Sequence, residues 1–320
     1  MSTARWKVFG ASVRGATHVR RQLPNQDAWC DEVRSDGSSP VIVAVSDGHG
    51  SEHCFRSDVG SQLAVEAAVT ECKLCLAGLS SASPSEIKDT IERRFLGHLV
   101  RAWKERVKRH AAEHPMTDDE LARLRAIRKT GVENETILDA ELWRAYGATL
   151  LVLVLTETYA LYLQLGDGEM LVVTDSVVPT DAEPSAIIVS RPLPKDESLI
   201  ANETTSLCRD DAERQFRVRL QLFEGRPPAL FLLSTDGYSN AFESSAGFEQ
   251  VGGDLLRALR EQGLDAVSRD FTDELNHVSE QGSGDDVTVA IVFRDDSVQQ
   301  LVSPPSSDRP KNWLRRLFGN

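Results

Sequence analysis

Two kinds of hydrophobic pattern alternate along the chain, and they predict both strands and helices. Eight short segments are rich in β-branched and aromatic residues and are mostly bounded by Gly, Pro or Asp, as is typical of β-strands. They are Trp6–Val13, Val41–Ser46, Ala148–Thr156, Tyr159–Leu165, Met170–Thr174, Phe216–Phe223, Ala229–Ser234 and Val287–Phe293. Four longer segments carry apolar residues at helical spacing, and we expect helices there. They are Asp58–Leu79, Glu86–His114, Gly253–Gln262 and Ala266–Val278.

The order of these elements favours one fold class. Strands arrive in runs, and helices stand between hairpin-like pairs of strands, rather than in strict β-α-β alternation. This order favours a largely antiparallel α+β sandwich over a doubly wound parallel sheet.

We expect one domain over residues 1–295. Within it, residues 115–139 are charged and weakly helical, and we predict an insertion outside the main core. Residues 175–212 contain prolines and little periodicity, which predicts a loop or flap between strands.

The last part of the chain, residues 296–320, has a different composition. Residues 303–307 read Ser-Pro-Pro-Ser-Ser, which is typical of a flexible linker, and residues 313–318 are basic and aromatic. We therefore predict a flexible tail with a short, basic amphipathic end.

The charge balance excludes some classes of partner. The chain has 36 Lys and Arg against 49 Asp and Glu, a formal net charge of −13, which argues against binding to nucleic acid or to an anionic membrane. No apolar run approaches the roughly 20 residues of a membrane-spanning helix. The N-terminal residues Met1–Lys7 lack the apolar core of a signal peptide. We expect a cytoplasmic protein.

Five cysteines, in a chain of this length with no signal peptide, indicate reduced thiols. They are Cys30, Cys54, Cys72, Cys75 and Cys208. Cys72 and Cys75 match C-x-x-C, but they lie within a helical pattern and have no second pair to complete a zinc site. Packed thiols are therefore the preferred interpretation.

Acidic residues follow three of the predicted strands. Asp47, Asp167 and Asp236 each stand in an Asp-Gly pair after an apolar run, and Asp285 and Asp286 directly precede the last strand. Each Asp-Gly alone is typical of a turn. Several acids at the edge of one buried sheet would repel each other unless cations neutralised them. Such hard oxygen ligands suit Mg²⁺ or Mn²⁺.

A basic stretch precedes a further acid near the N-terminus. His18–Arg21 stands a few residues before Asp27. Bases beside acids suggest an anionic substrate, since a guanidinium group can hold a phosphate through two parallel hydrogen bonds. For Arg20 and Arg21 taken singly, a solvated loop remains an equal alternative.

Six motifs, in this order, resemble those of the metal-dependent protein phosphatases of the PPM (type 2C) family. They are Asn25–Ala28, Ser46–Gly50, Gly147–Thr149, Gly166–Gly168, Ser234–Gly237 and Asp285–Thr288. The resemblance spans about Phe9 to Phe293. It implies an αββα sandwich, in which two mostly antiparallel sheets are flanked by helices and a binuclear metal site lies at one end.

The resemblance also implies a set of metal ligands. Asp47 would bridge two metals, with the Gly48 carbonyl as a further ligand. Asp236 and Asp285 would hold one metal, and Asp27 would lie near the second. The expected cofactors are two Mn²⁺ or Mg²⁺ ions.

Three positions depart from the family pattern or bear on a third metal. Asp167 matches an acid of an optional third site, but Asn240 replaces another acid of that site, which leaves it incomplete. Asp286 occupies a position that is usually asparagine, so Asp285 is assigned as the ligand. Gln26 stands where many members have glutamate.

The implied reaction is hydrolysis of phosphoserine and phosphothreonine by in-line attack of a water that bridges the two metals. Arg21, or else Arg20, would hold the phosphate, and Arg14 fits the spacing less well. His49 is the candidate general acid for the leaving alkoxide, because an imidazole can donate a proton near neutral pH. Its alternative is a structural histidine in a turn.

Two other functions stay open at this point. The first is a phosphoprotein-binding regulator with the same fold and little catalysis. The second is a phosphatase for a small phosphorylated metabolite. The main hypothesis, a hydrolase of the protein phosphatase class, implies a phosphorylated protein as substrate and a serine/threonine kinase or its targets as partners. We expect a monomer.

Overall fold

The structure is a computed structural model, and it describes residues 4–127, 139–175, 187–194 and 205–298. The strands are β1 (Trp6–Val13), β2 (Asp27–Glu32), β3 (Val41–Asp47), β4 (Leu150–Leu155), β5 (Tyr159–Leu165), β6 (Glu169–Asp175), β7 (Ile187–Ser190), β8 (Arg217–Leu222), β9 (Leu230–Ser234) and β10 (Val287–Arg294). The helices are α1 (Ala16–Arg21), α2 (Ser57–Gly78), α3 (Pro84–Thr90), α4 (Leu96–Glu113), α5 (Asp118–Ile127), α6 (Asp139–Ala145), α7 (Ala212–Gln215), α8 (Asp236–Ser239), α9 (Ser245–Gln262), α10 (Leu264–Gln281) and α11 (Asp295–Val298). A π-helical segment, Ile91–Phe95, joins α3 to α4.

The strands form two five-stranded sheets in which each pairing is antiparallel. The first sheet has the order β1-β10-β9-β6-β7, and the second has the order β2-β3-β4-β5-β8. One apolar core lies between the two sheets. A second core joins the second sheet to α2 and α4, and a third joins the first sheet to α9 and α10. The αββα architecture predicted from the sequence is confirmed.

Strand β3 shows why several predicted strands are continuous apolar runs instead of alternating apolar and polar residues. Successive side chains of a strand point to opposite faces of a sheet. Val41, Val43 and Val45 belong to the core between the sheets, whereas Ile42 and Ala44 belong to the core shared with the helices. Because both faces of the sheet are covered, the strand has apolar residues at each position from Val41 to Val45.

Each of the eight predicted strands is present, with ends shifted by up to two residues. Strands β2 and β7 were not predicted. The first is half polar because its residues read Asp-Ala-Trp-Cys-Asp-Glu, and the second is only four residues long. The helix predicted over Glu86–His114 is present as α3, the π-helical segment and α4.

Two boundary predictions need correction. Residues 115–139 were expected to lie outside the core, but in α5 Leu124 is buried in the core between the second sheet and its helices. The tail was expected to begin at 296, but α11 includes residues 296–298, and the buried Ser297 hydroxyl donates a hydrogen bond to the Ala229 carbonyl. The rest of the tail, including 313–318, lies outside the described residues.

The flap predicted over residues 175–212 is described only in part. Residues 187–190 form the edge strand β7, which pairs with β6. Residues 176–186 and 195–204 lie outside the described residues. Within the described part of the chain, the helices include none with the length and apolar character needed to cross a bilayer. All five cysteines are free thiols, and Cys72 is buried, as expected for a packed thiol.

Gly60 of α2 fixes a close contact that supports the site. A Cβ atom at this position would lie 1.9 Å from the Tyr146 carbonyl oxygen, and the Gly60 carbonyl accepts a hydrogen bond from the Trp103 indole. We expect Gly60→Ala to lower the free energy of unfolding by about 3 kcal/mol, because the helix must move away from its neighbour. Urea denaturation measures this change.

Gly78 provides the matched control for that substitution. It lies in the same helix, it is exposed, and a Cβ atom there would have no neighbour within 4 Å. Gly78→Ala is therefore expected to leave stability unchanged within about 1 kcal/mol. Equal effects of the two substitutions would contradict the importance of the close contact.

Candidate active site

Acidic residues from both sheets meet at one end of the sandwich. Asp27 begins β2 and pairs in register with Asp47, which ends β3. Asp236 begins α8 directly after β9, and Asp167 lies in the turn between β5 and β6. Asp47, Asp167 and Asp236 line a cavity of about 380 Å³, and Asp27 lies behind its wall. The cavity is lined by Thr17, His18, Arg21, Gln26, Asp47, Gly48, His49, Gly50, Thr149, Asp167, Asp236, Ser283, Gly284, Asp285 and Asp286.

The centre of the cavity is a cluster of three carboxyl groups. One oxygen from each of Asp47, Asp167 and Asp236 lies within 4.8 Å of the other two. The charges of Asp27 and Asp236 act on Asp47, and the charge of Asp167 acts on Asp236, so these buried carboxyl groups repel one another when they are ionised. The structure thus brings together three acids that the sequence places in Asp-Gly pairs after predicted strands.

Burial and mutual repulsion raise the pKa values in this cluster. Burial is the largest cause for Asp47, followed by the charges of Asp27 and Asp236, and together they hold its pKa well above the usual range. Burial and the charge of Asp167 raise the pKa of Asp236 to about 6. A cation between these groups would remove the repulsion and favour their ionised forms.

Gly48 is held where a larger residue has no room. It forms an isolated bridge with Ala148, and a Cβ atom on it would lie 2.5 Å from the Ser57 carbonyl oxygen and 2.6 Å from the Gln26 carbonyl oxygen. Thr149 completes this support, since its hydroxyl accepts a hydrogen bond from the Asp47 amide. The Asp-Gly sequence is thus required by packing and also places the carboxyl group at the cavity.

The donor set fits a pair of divalent ions. Carboxylate oxygens are the hard ligands that Mg²⁺ and Mn²⁺ prefer. In addition, the side-chain oxygen of Gln26, which lines the cavity, is buried and has no hydrogen-bond partner among the described residues. A buried oxygen of this kind is satisfied by an ion or an ordered water.

Asp285 and Asp286 occupy different environments. The Asp286 carboxylate is 2% exposed and accepts hydrogen bonds from the Gly15 amide, the Gln26 amide and the His18 Nδ1 atom, at 2.6–2.8 Å. The Asp285 side chain is 54% exposed and lines the cavity. Asp286 therefore joins α1, β2 and β10, and Asp285 is the one with a carboxylate available to a metal.

Asp27 lies one step behind the cavity wall. Its carboxylate accepts a hydrogen bond of 2.7 Å from the Thr235 hydroxyl, and that hydroxyl accepts one from the Thr288 amide. Burial, then the charge of Asp286, raises its pKa well above the usual range. This chain of contacts ties the second sheet to the first at the site.

The two candidate arginines differ in position. Arg21 lines the cavity, whereas the Arg20 guanidinium is exposed and donates to the Thr17 hydroxyl at 2.9 Å. Arg14 contacts the Leu23 carbonyl at 3.5 Å. Arg21 is thus the one of these three arginines that lines the cavity.

His49 follows Gly48 in the chain and lines the same cavity as the carboxylates. Its amide donates a hydrogen bond to the Gly147 carbonyl, which fixes the loop that follows β3. Burial lowers the pKa of its imidazole below 6.5, and the charge of Asp167 opposes that effect. Burial thus has the larger effect and favours the neutral imidazole, while Asp167 partly offsets it.

Asn240 does not add a charge to the cluster. Its side-chain amide donates a hydrogen bond of 3.0 Å to the Asp236 carboxylate. This contact orients Asp236, and the incomplete third metal site stays a prediction.

A role for His18 was not predicted from the sequence. The residue stood out only as part of a basic stretch, yet it lines the cavity and its ring contacts Asp286. His18 and Arg21 are three residues apart in α1, which places them on one face of the helix. That spacing was the available signal, but α1 has only six residues and was not predicted.

Comparison with known proteins gives three results. The sequence profile described as Protein phosphatase 2C matches residues 14–276. No curated protein matches the chain. Solved structures with the same fold include a bacterial serine phosphatase variant, at 12% identity and a TM-score of 0.51, with 92% of this chain and 100% of that chain covered.

Two further structures are similar to this chain. The serine/threonine phosphatase Stp1 from Staphylococcus aureus is 12% identical, with a TM-score of 0.50, and the match covers 92% of this chain and 96% of that one. The catalytic domain of the phosphatase PstP, in complex with two manganese ions, is 19% identical, with a TM-score of 0.47, and the match covers 91% and 99% of the two chains.

Proposed function

The chain belongs to the protein phosphatase 2C family and is a metal-dependent serine/threonine protein phosphatase, and from that premise we propose which of its residues hold the metals and act on the phosphate. Asp47 would be a ligand shared by two divalent ions, with the Gly48 carbonyl as a further ligand. Asp236 and Asp285 would hold one ion, and Asp27 would support the second from behind. Asp167 stands at the same cluster. The ions are manganese or magnesium.

One observation carries this proposal: the buried contact between Asp47 and Asp236. Two buried carboxyl groups with oxygens within 4.8 Å of each other, each with a raised pKa, destabilise the folded chain at neutral pH unless a cation lies between them. When bound, divalent ions supply neutralisation of the phosphoryl charge and activation of the attacking water.

The remaining steps belong to side chains of the protein. Arg21, on the cavity wall, binds the phosphoryl oxygens and holds the ester in line for attack. His49 donates a proton to the departing serine or threonine oxygen. His18 and Asp286 keep α1, and with it Arg21, against the carboxylate cluster.

The same reasoning gives the substrate class and the partners. Phosphoserine and phosphothreonine in proteins are the proposed substrates, and the partners are a serine/threonine kinase or its targets. We place the protein in the cytoplasm as a monomer. The alternative of a regulator with little catalysis is not favoured, because the acids, the arginine and the histidine that the reaction needs all lie at one cavity.

A metal-dependence assay tests this proposal. We expect the full chain to hydrolyse p-nitrophenyl phosphate and a phosphothreonine peptide with Mn²⁺ or Mg²⁺ present, and EDTA to reduce both rates at least about 100-fold. Release of p-nitrophenol and of phosphate measures the rates, and calorimetry with Mn²⁺ counts the ions. Turnover that persists in EDTA contradicts the metal mechanism, and metal binding without turnover supports the regulator.

A further inference from the structure

A second cavity opens beside the active site and shares His49 with it. Its volume is about 450 Å³. Its walls come mainly from two segments of the chain, one that starts at Ala140 and one that starts at Ser206. His49 lines both cavities. A chain segment whose phosphate lies at the carboxylate cluster can therefore continue past His49 into the second cavity.

Two arginines on the walls of this second cavity have no acidic partner. The side chains of Arg144 and Arg209 are exposed, and neither forms an ion pair or a side-chain hydrogen bond among the described residues. Arg56, by contrast, is paired with Glu120 and is not available to a ligand. Unpaired guanidinium groups in a concave surface are available to an anion.

The two acids on the same walls are engaged elsewhere. The Asp211 carboxylate accepts a hydrogen bond of 2.7 Å from the Gln215 side chain. Burial lowers the pKa of Lys104, and the charge of Asp210 is the largest effect that opposes this, so Asp210 interacts with Lys104. Neither acid forms an ion pair with Arg144 or Arg209 among the described residues, so both guanidinium groups can contact a ligand.

Backbone contacts hold the two arginines in a fixed relation to the active site. The Leu207 amide and the Ser206 hydroxyl both donate to the Ala148 carbonyl, at 3.0 and 3.2 Å. The Arg144 carbonyl accepts a hydrogen bond from the Gly147 amide, and the Gly147 carbonyl accepts one from His49. The segments that carry both arginines are therefore connected to His49 itself.

We propose that this second cavity binds an anionic side chain of the phosphoprotein substrate, close in sequence to the phosphorylated residue, through Arg144 and Arg209. The inference rests on the proposed function, because it needs the scissile phosphate at the carboxylate cluster. The anion is a carboxylate or a second phosphate group, since a guanidinium recognises both. Arg144 and Arg209 thus determine which phosphorylation sites the enzyme prefers.

The test compares three phosphothreonine peptides of one length. One has neutral residues on both sides of the phosphothreonine, one has aspartates there, and one has a second phosphothreonine. We expect the full-length enzyme with Mn²⁺ to prefer each anionic peptide about five- to tenfold in kcat/KM, mainly through KM, as for one or two exposed ion pairs. In the double variant Arg144→Gln/Arg209→Gln, the preference is expected to disappear.

Two controls isolate the effect of position. Arg34→Gln removes the same charge from the loop between β2 and β3, at the opposite end of β2 from Asp27, and is expected to keep the preference. Hydrolysis of p-nitrophenyl phosphate, which has no flanking residues, is expected to be unchanged in the double variant.

Each outcome decides between the two proposals. A preference that survives in the double variant, or is absent from the unmodified enzyme, overturns the second cavity as a subsite while p-nitrophenyl phosphate is still hydrolysed. If the unmodified enzyme does not hydrolyse p-nitrophenyl phosphate with Mn²⁺, the proposed function itself fails. The ratio between the aspartate and bisphosphorylated peptides identifies which anion fits better.

Discussion

Asp236→Asn is expected to make the metal-free protein more stable and the enzyme inactive. In the metal-free protein, burial and the charge of Asp167 raise the pKa of Asp236 to about 6. A shift of about two units from the unfolded value corresponds to a cost on the order of 2 kcal/mol at neutral pH. Asparagine keeps the shape of the side chain and removes that cost. It also removes a metal ligand, and we expect kcat to fall about 10³-fold.

The sign of the pH dependence follows from the direction of the shift. The folded state holds its proton up to about pH 6, whereas the unfolded chain releases it near pH 4. The folded state therefore binds more protons between these values, and the stability of the metal-free protein falls as the pH rises through this window. The gain from Asp236→Asn should accordingly be full above about pH 6 and absent near pH 4.

Urea denaturation in EDTA at several pH values measures the stability, and phosphate release with Mn²⁺ measures the activity. Asp285→Asn is the matched control, because it removes a carboxylate from the same cavity, but one that is 54% exposed. We expect it to lower activity without stabilising the metal-free protein. If Asp236→Asn destabilises the metal-free protein at neutral pH, the account of repulsion in this cluster is wrong.

The fold could be predicted from the sequence to the extent that both faces of a strand are buried. Strands such as β3, β4 and β5 are apolar at nearly every position because they lie between two layers. Strand β2 contains partly exposed polar residues and was not predicted, although it places Asp27 opposite Asp47. The pairing partner of a half-polar strand is determined by tertiary packing, which no local pattern contains.

The site could be predicted to the extent that its residues stand at strand ends. Asp47 and Asp236 both follow apolar runs, so each could be placed at a strand end. Their meeting across the two sheets was implied only by the family resemblance, because the strands belong to different sheets. The choice between Arg20 and Arg21 did not follow, because it depends on which face of the short helix α1 meets the cavity. That orientation is determined by the contact of His18 with Asp286, 268 residues away in the chain.

His49→Gln is expected to have the second largest effect, and the effect should depend on the leaving group. A serine or threonine alkoxide is a poor leaving group and needs a proton, whereas p-nitrophenolate leaves without one. Loss of a general acid costs about 10²- to 10⁴-fold where a proton is required. We therefore expect kcat for a phosphothreonine peptide to fall about 10²-fold or more, and kcat for p-nitrophenyl phosphate to fall less than about tenfold.

His53→Gln is the matched control for this substitution, because His53 lies in the same loop and is exposed. It is expected to leave both rates unchanged. A fall of equal size for the two substrates in His49→Gln would indicate that His49 holds the loop after β3, as its amide contact with Gly147 does, and does not donate the proton.

The pH dependence of the two turnover rates is a second way to distinguish a proton donor from a structural histidine. Burial lowers the pKa of His49 below 6.5, although Asp167 opposes the shift, so the protonated form becomes scarce as the pH rises. Activation of the attacking water affects both substrates alike and cancels when the two rates are divided. The ratio of peptide to p-nitrophenyl phosphate turnover should then fall from about pH 6 to pH 8 in the unmodified enzyme. In His49→Gln this ratio should stay constant, because the group that titrates has been removed.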